Sequence, residues 1–158
     1  MARFRPVHGL VLVVLLVLPV VGFALARELF PESFTGHERV TAERGEVRID
    51  LAGLERGDVR FYRYLNPGNQ EVRFFVGRDR GGTVQVAFDA NELCFKQKRG
   101  YQYQDGWLVC RKCDKAFRLA EVNDGTGGCQ PVPLAHRLEG ETLVLSEDDV
   151  LTGWRYFR

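Results

Sequence analysis

No Ser–His–Asp set, no glycine-rich phosphate loop and no His-Glu-x-x-His stretch occurs in the 158 residues. Acyl-transfer, nucleotide-dependent and zinc-protease chemistry therefore have no basis in the sequence. An excess of one charge is lacking too. Lys and Arg total 22 against 21 Asp and Glu, a formal net charge of +1. The signs are interspersed, as in Glu46, Arg48 and Asp50 or Arg56, Asp58 and Arg60, and no basic block follows the first few residues. That speaks against a nucleic-acid partner. Histidine is scarce, with three in the chain. His8 lies in an apolar stretch, His37 in an irregular one, and His136 in an alternating run where a surface or packing role is expected. There is no internal repeat, coiled coil or low-complexity tract. The length allows one domain of modest size with extra segments at its ends, and a core this small would gain from a site that cross-links distant loops.

The N-terminus holds the one long apolar run. Arg3 and Arg5 precede an uncharged stretch from Pro6 to Ala26, and Arg27 and Glu28 end it. It reads either as an uncleaved transmembrane helix near the lower limit of length, meeting the bilayer through residues 6–26, or as a signal peptide whose Ala24-Leu25-Ala26 has the small-x-small form of a cleavage site. Positive charge ahead of the run keeps the N-terminus inside, so both readings send the remainder out of the cytoplasm. Residues 1–26 are thus expected to be a signal or anchor, and 27–45, with Pro31, Ser33, Thr35 and Gly36, a connector.

From residue 46 the apolar residues alternate. Val47, Ile49 and Leu51 share one face, as do Val59 and Phe61, then Val72, Phe74 and Val76, then Val84, Val86 and Phe88. Asn66-Pro67-Gly68-Asn69 and Arg78-Asp79-Arg80-Gly81-Gly82 separate them as turns. Period two between such turns predicts an antiparallel meander of about four strands over 46–89, buried on one face. A hairpin follows, Tyr101 and Tyr103 leading through Asp105-Gly106 to Trp107-Leu108-Val109. Leu134 to Leu138 and Leu143-Val144-Leu145 extend the β pattern. Ser146 ahead of Asp149 predicts an N-cap and a short helix near 147–154. The expected fold is mainly β: a small antiparallel sheet domain over 46–158 with a cysteine knuckle and a short C-terminal helix, preceded by an N-terminal apolar helix.

The four cysteines are Cys94, Cys110, Cys113 and Cys129. Cys110-Arg111-Lys112-Cys113 is a C-x2-C pair that lets two sulfurs converge on one ion just after a strand. Gly127 and Gly128 give Cys129 a close turn, and Pro131 stiffens its exit. Four thiolates suit a structural zinc ion or an iron-thiolate or iron-sulfur centre. Two disulfides, or a redox-active pair of Cys110 and Cys113, are the alternatives that this spacing leaves open. Lys96, Lys98, Lys112 and Lys115 flank the set, where they would lower thiol pKa values, offset thiolate charge and raise a redox potential. Asp89 and Glu92 flank the first cysteine loop as hydrogen-bond acceptors or turn caps. Phe95, Tyr101, Tyr103 and Trp107 could shield a site or simply pack.

Several stretches together resemble one family. They are Ala87-Phe88-Asp89-Ala90-Asn91-Glu92-Leu93-Cys94-Phe95, Lys98-Arg99-Gly100-Tyr101, Val109-Cys110-Arg111-Lys112-Cys113 and Gly127-Gly128-Cys129-Gln130-Pro131-Val132-Pro133-Leu134, with Arg60 to Tyr64 and Val72 to Phe75 upstream. Over roughly residues 46–158 the chain resembles the DUF2318 family, the FtrD-like membrane iron-sulfur proteins of bacterial iron uptake. The resemblance implies an iron-sulfur cofactor on Cys94, Cys110, Cys113 and Cys129, with zinc or mononuclear iron as alternatives. It implies electron transfer on the extracytoplasmic side of the cytoplasmic membrane, a redox carrier rather than a stand-alone enzyme. Its partners would be a membrane iron permease, a periplasmic iron-binding protein and a copper-protein-like protein. A structural zinc or disulfide-stabilised domain docking on a transporter, and a thiol–disulfide protein using Cys110 and Cys113, are the competing functions. Family members commonly read Phe-Asp-Ala-Cys-x-x-Cys at the first loop; here the first cysteine position is Asn91. Asn91, Lys112 and Asp89 are the expected supporting residues around the four cysteines.

Overall fold

The structure, a computed structural model, describes residues 15–23, 36–125 and 127–158. The chain divides into two compact units, Met1–Gly36 and His37–Arg158. In the first, residues 15–23 are helical with exposed side chains. The transmembrane helix expected over residues 6–26 is corrected here: among the described residues no helix is long and apolar enough to cross a membrane. Crossing a ~30 Å hydrocarbon core at ~1.5 Å per residue takes about 20 apolar helical residues, more than the described residues of this segment supply. Arg3, Arg5, His8, the Ala24-Leu25-Ala26 cleavage form and connector residues 27–35 lie outside the described residues.

The second unit is mainly β, as alternation predicted. Its strands are β1 (Glu38–Val40), β2 (Ala42–Glu43), β3 (Glu46–Asp50), β4 (Asp58–Leu65), β5 (Glu71–Arg78), β6 (Val84–Phe88), β7 (Tyr101–Gln104), β8 (Trp107–Cys110), β9 (Ala116–Arg118), β10 (Arg137–Glu139) and β11 (Thr142–Ser146). They form three sheets with orders β1-β4-β5-β6, β10-β11-β3-β2 and β7-β8-β9. The expected four-strand meander is only partly realised. β4, β5 and β6 are consecutive antiparallel neighbours. β3 instead leaves to pair with β11, Val47 opposite Leu145 and Ile49 opposite Leu143. Its apolar face is satisfied equally well by a distant strand, and local alternation does not choose between the two. β1 pairs with β4 in parallel, Arg39 opposite Arg63, which the antiparallel expectation did not include.

Two cores result. Val47, Ile49, Tyr62, Tyr64, Val72, Phe74, Val76, Val86, Leu143 and Leu145 fill the larger one. Phe75, Ala87, Tyr101, Leu108, Cys110, Leu119 and Val122 fill the second, with Cys94 and Cys113 packed against it. β5 serves both: Val72, Phe74 and Val76 point to the first and Phe75 to the other. Every residue of β6 is buried, so the β5–β6 pair is covered on both faces rather than one. Gln85, within β6, is half satisfied: its Nε2 donates to Asp79 Oδ2 at 3.2 Å and to the Ala120 carbonyl at 3.4 Å, while its buried Oε1 has no hydrogen-bond partner among the described residues.

The β7–β8 hairpin turns on Asp105 and Gly106, both at positive φ, the backbone of a two-residue type I′ loop. In the Asn66–Asn69 turn the left-handed residue is Asn69, at φ 59°, rather than Gly68. The C-terminal helix is Glu147–Thr152. Ser146 occupies its N-cap position without a side-chain capping bond, and the Glu147 N–H donates to the Gly45 carbonyl at 2.8 Å instead. The acidic first turn of Glu147, Asp148 and Asp149 still complements the helix dipole.

Candidate metal centre

Three loops deliver the cysteines to one end of the β7–β8 hairpin. The first leaves β6 through Asp89, Ala90 and Asn91. Asn91 is 2 % exposed, and its Oδ1 accepts the Leu93 N–H at 3.1 Å and the Cys94 N–H at 2.6 Å. A carbonyl side chain that holds the N–H groups two and three residues on closes a tight local turn. That turn aims Cys94 inward and leads into the single 3-10 turn Phe95–Gln97. The second loop is the knuckle. Cys110 ends β8 opposite Tyr101, its N–H donates to the Lys115 carbonyl, and the Asp114 N–H returns to its own carbonyl, each at 2.9 Å. The chain therefore reverses over four residues and brings Cys113 back. In the third, Gly127 and Gly128 turn the chain before Cys129, and the Leu93 N–H donates to the Gly128 carbonyl at 3.3 Å. Beyond Cys129 the chain runs beside β6: Val132 N–H donates to the Ala90 carbonyl at 3.2 Å, and Phe88 N–H to that of Val132 at 2.8 Å.

The sulfurs of Cys94, Cys113 and Cys129 lie within 4.8 Å of one another, with Cys94 Sγ and Cys129 Sγ 3.6 Å apart. All four cysteines are free thiols. Cys110 is buried and adjoins the set, acting on the Cys94 thiol, but it is not within the tight triple. Burial pushes the Cys94 thiol up to about 12, helped by the hydrogen bonds its S–H gives to the Cys129 and Cys113 sulfurs. Thiols this crowded cannot ionise together in the absence of compensating positive charge. A cation would provide it, binding the thiolates and releasing their protons.

The donor set fits a soft metal. A tetrahedral ion with metal–sulfur bonds of ~2.3 Å sets its sulfurs ~3.8 Å apart, close to the 3.6 Å of Cys94 and Cys129. Thiolates of a four-iron cluster each bind a different iron at the corner of a cube. They stand farther apart than thiolates sharing one ion, so the tight triple matches a single ion more closely.

Asp89, 3 % exposed, lies behind the sulfurs. Its Oδ1 accepts the Tyr101 N–H at 2.6 Å, and its Oδ2 is 3.2 Å from His37 Nε2. Tyr101 is buried, and its hydroxyl donates to the Cys129 carbonyl. Burial holds that hydroxyl far above its ordinary pKa, so it remains a donor. His37 and the Tyr101 hydroxyl are supports that the sequence did not single out; His37 is 52 residues from Asp89, and no local pattern links them. Lys96, Lys98, Lys112 and Lys115 are all exposed, so solvent and salt screen what their charges do to the sulfurs. The cleft beside the centre, lined by Asn91, Cys94, Cys110 and Lys112, measures about 10 Å³. That is room for about one water, not for an organic substrate.

Gly100 shows how tightly this backing is built. It sits at φ +64°, and a Cβ there would lie 2.3 Å from Asp89 Oδ2. Gly100→Ala is expected to destabilise the domain by about 2–4 kcal/mol, from the left-handed backbone and a displaced buried carboxylate. Urea unfolding with an unchanged m-value is the measurement.

The family model described as "Membrane iron-sulfur containing protein FtrD-like" matches residues 54–157. No curated protein matches the chain, and no solved structure does.

Proposed function

From the chain's membership of the family of FtrD-like membrane iron-sulfur containing proteins, to which it belongs over residues 54–157, we propose that it is an extracytoplasmic metal-thiolate electron carrier serving a membrane iron-uptake system. The convergence of the Cys94, Cys113 and Cys129 sulfurs within 4.8 Å is the observation that carries this reading. Cys110 completes a four-thiolate set as the knuckle partner of Cys113. Iron bound there would supply one-electron redox chemistry. The chain's own residues position and shield it. Asn91 and the knuckle hydrogen bonds hold the sulfurs, and Asp89, Tyr101 and Phe75 back the site with a dry wall. Lys112 borders the cleft beside the centre, where solvent screens its charge. Residues 1–26 act as the export signal, and 46–158 form the metal-binding domain. The partners in this scheme are an iron permease, a periplasmic iron-binding protein and a copper-protein-like protein, with the carrier accepting the electron released when ferrous iron becomes ferric.

The close sulfurs favour a single iron ion. The family description favours an iron-sulfur cluster, which is the second reading. Iron, zinc and acid-labile sulfide measured on anaerobically purified protein separate them. About one iron per chain with little sulfide, and visible absorption that bleaches and returns on reduction and reoxidation, is expected. Sulfide in proportion to iron would establish the cluster instead. Colourless protein with stoichiometric zinc would overturn the electron-carrier function.

A further inference from the structure

Asn91 stands where the resembling family commonly has a cysteine, and its hydrogen bonds define what it does in place of a thiolate. Its Oδ1 is identified by its neighbours: both the Leu93 and Cys94 N–H groups point at it, so that atom must be the acceptor. The Nδ2 end then faces the Tyr101 hydroxyl at 2.8 Å and Cys110 Sγ at 3.6 Å. Tyr101 has already committed its own proton to the Cys129 carbonyl, so it accepts from Asn91. One buried amide thus ties together the backbone of Cys94, the sulfur of Cys110 and, through Tyr101, the backbone of Cys129. Its oxygen is spent on two N–H groups and its nitrogen has no lone pair for a metal, so Asn91 is not a ligand.

We propose that Asn91 is the positioning residue of the centre and raises its reduction potential by donating an N–H···S hydrogen bond to Cys110. This rests on the metal-thiolate reading above. When a metal takes the thiol proton, Cys110 becomes a thiolate and the bond from Nδ2 becomes charge-assisted, hence stronger. The donor withdraws charge from the sulfur. Reduction adds one electron to the iron-thiolate unit and makes it more negative, so a hydrogen bond to sulfur stabilises the reduced form more than the oxidised form. A cysteine at this position could neither donate in this way nor hold the Cys94 turn through two N–H groups.

The test uses the full chain loaded with iron, and in parallel with Co(II). Asn91→Asp keeps an oxygen for the Leu93 and Cys94 N–H groups but has no N–H to give. Asn91→Ser keeps a shorter, uncharged acceptor and cannot reach Cys110, which separates loss of the donor from gain of charge. Both variants are expected to move the reduction potential negative, Asn91→Asp more. Both should shift the Co(II) thiolate charge-transfer bands to lower energy, because the sulfur is a better electron donor without the hydrogen bond. Tyr101→Phe retains the N–H···S bond. It is expected to lower the thermal midpoint while leaving potential and band energy close to those of the unaltered chain. A purely structural role for Asn91 predicts the opposite pattern: lowered midpoints with unmoved potential and bands in both Asn91 variants, which would overturn the proposal. If the native protein holds zinc alone, the electron-carrier reading fails, yet the Co(II) bands still decide whether Asn91 donates to sulfur.

Discussion

Cys129→Ser is expected to abolish stoichiometric metal binding and, with it, much of the domain's resistance to unfolding. Cys129 Sγ is 3.6 Å from Cys94 Sγ and shares the 4.8 Å triple with Cys113; a serine oxygen is a poor ligand for a soft metal beside thiolates. Loss of an outer-shell partner alone commonly weakens metal affinity by ~10–100-fold, so loss of a ligand should exceed about 100-fold. Where a site joins loops that are separate in the unfolded chain, binding free energy is folding free energy. The Cys94 loop, the knuckle and the Cys129 loop are joined in this way. Metal content per chain, with thermal midpoints in the presence and absence of added metal, measures both. Full metal content and a metal-dependent midpoint in Cys129→Ser would mean that the converging sulfurs do not form the centre.

Phe75→Ala is expected to cost about 3–5 kcal/mol, the range for deleting a fully buried aromatic ring. Phe75 is 0 % exposed. Its ring meets Phe61 at 5.7 Å and Tyr101 at 6.4 Å between centroids, and it belongs to the core that contains Cys110. The cavity would open directly behind Tyr101 and Cys110, so metal affinity should fall along with stability. Chemical denaturation and metal competition on the same variant test the two effects. A loss of under 1 kcal/mol would show that the second core collapses to fill the space.

The contrast between these positions and the neighbouring lysines follows from burial. The sequence suggested Lys96, Lys98, Lys112 and Lys115 as electrostatic partners of the thiolates, but all are exposed, where charge interactions are weak and screened. The stronger influence on the sulfurs comes from neutral groups in the dry interior, namely Asn91 and Tyr101. Asn91 was visible as a departure from the family pattern. That its amide holds a cysteine N–H at one end and a cysteine sulfur at the other depends on the loop after β6 packing onto the open end of the β7–β8 hairpin, a contact that no local pattern in the sequence specifies.

The β class of the domain, the Asp105-Gly106 hairpin and the short C-terminal helix are legible in the residue order alone. Each follows from local rules: alternation of apolar residues, the left-handed tolerance of a turn pair, and an acidic stretch behind a serine. The C-x2-C knuckle with two outlying cysteines pointed to one set, while the spacing left two disulfides or a redox-active Cys110–Cys113 pair open as well. Long-range packing sets the rest: β3 joins β11 rather than β4, β5 and β6 are buried on both faces, and Cys94, Cys113 and Cys129 form the tight triple while Cys110 rests against Asn91. Period two records that a strand has an inner face, not which sheet covers it. Cysteine spacing records how far apart the sulfurs are along the chain, whereas their separation in space is set by turns and hydrogen bonds contributed from elsewhere in the fold.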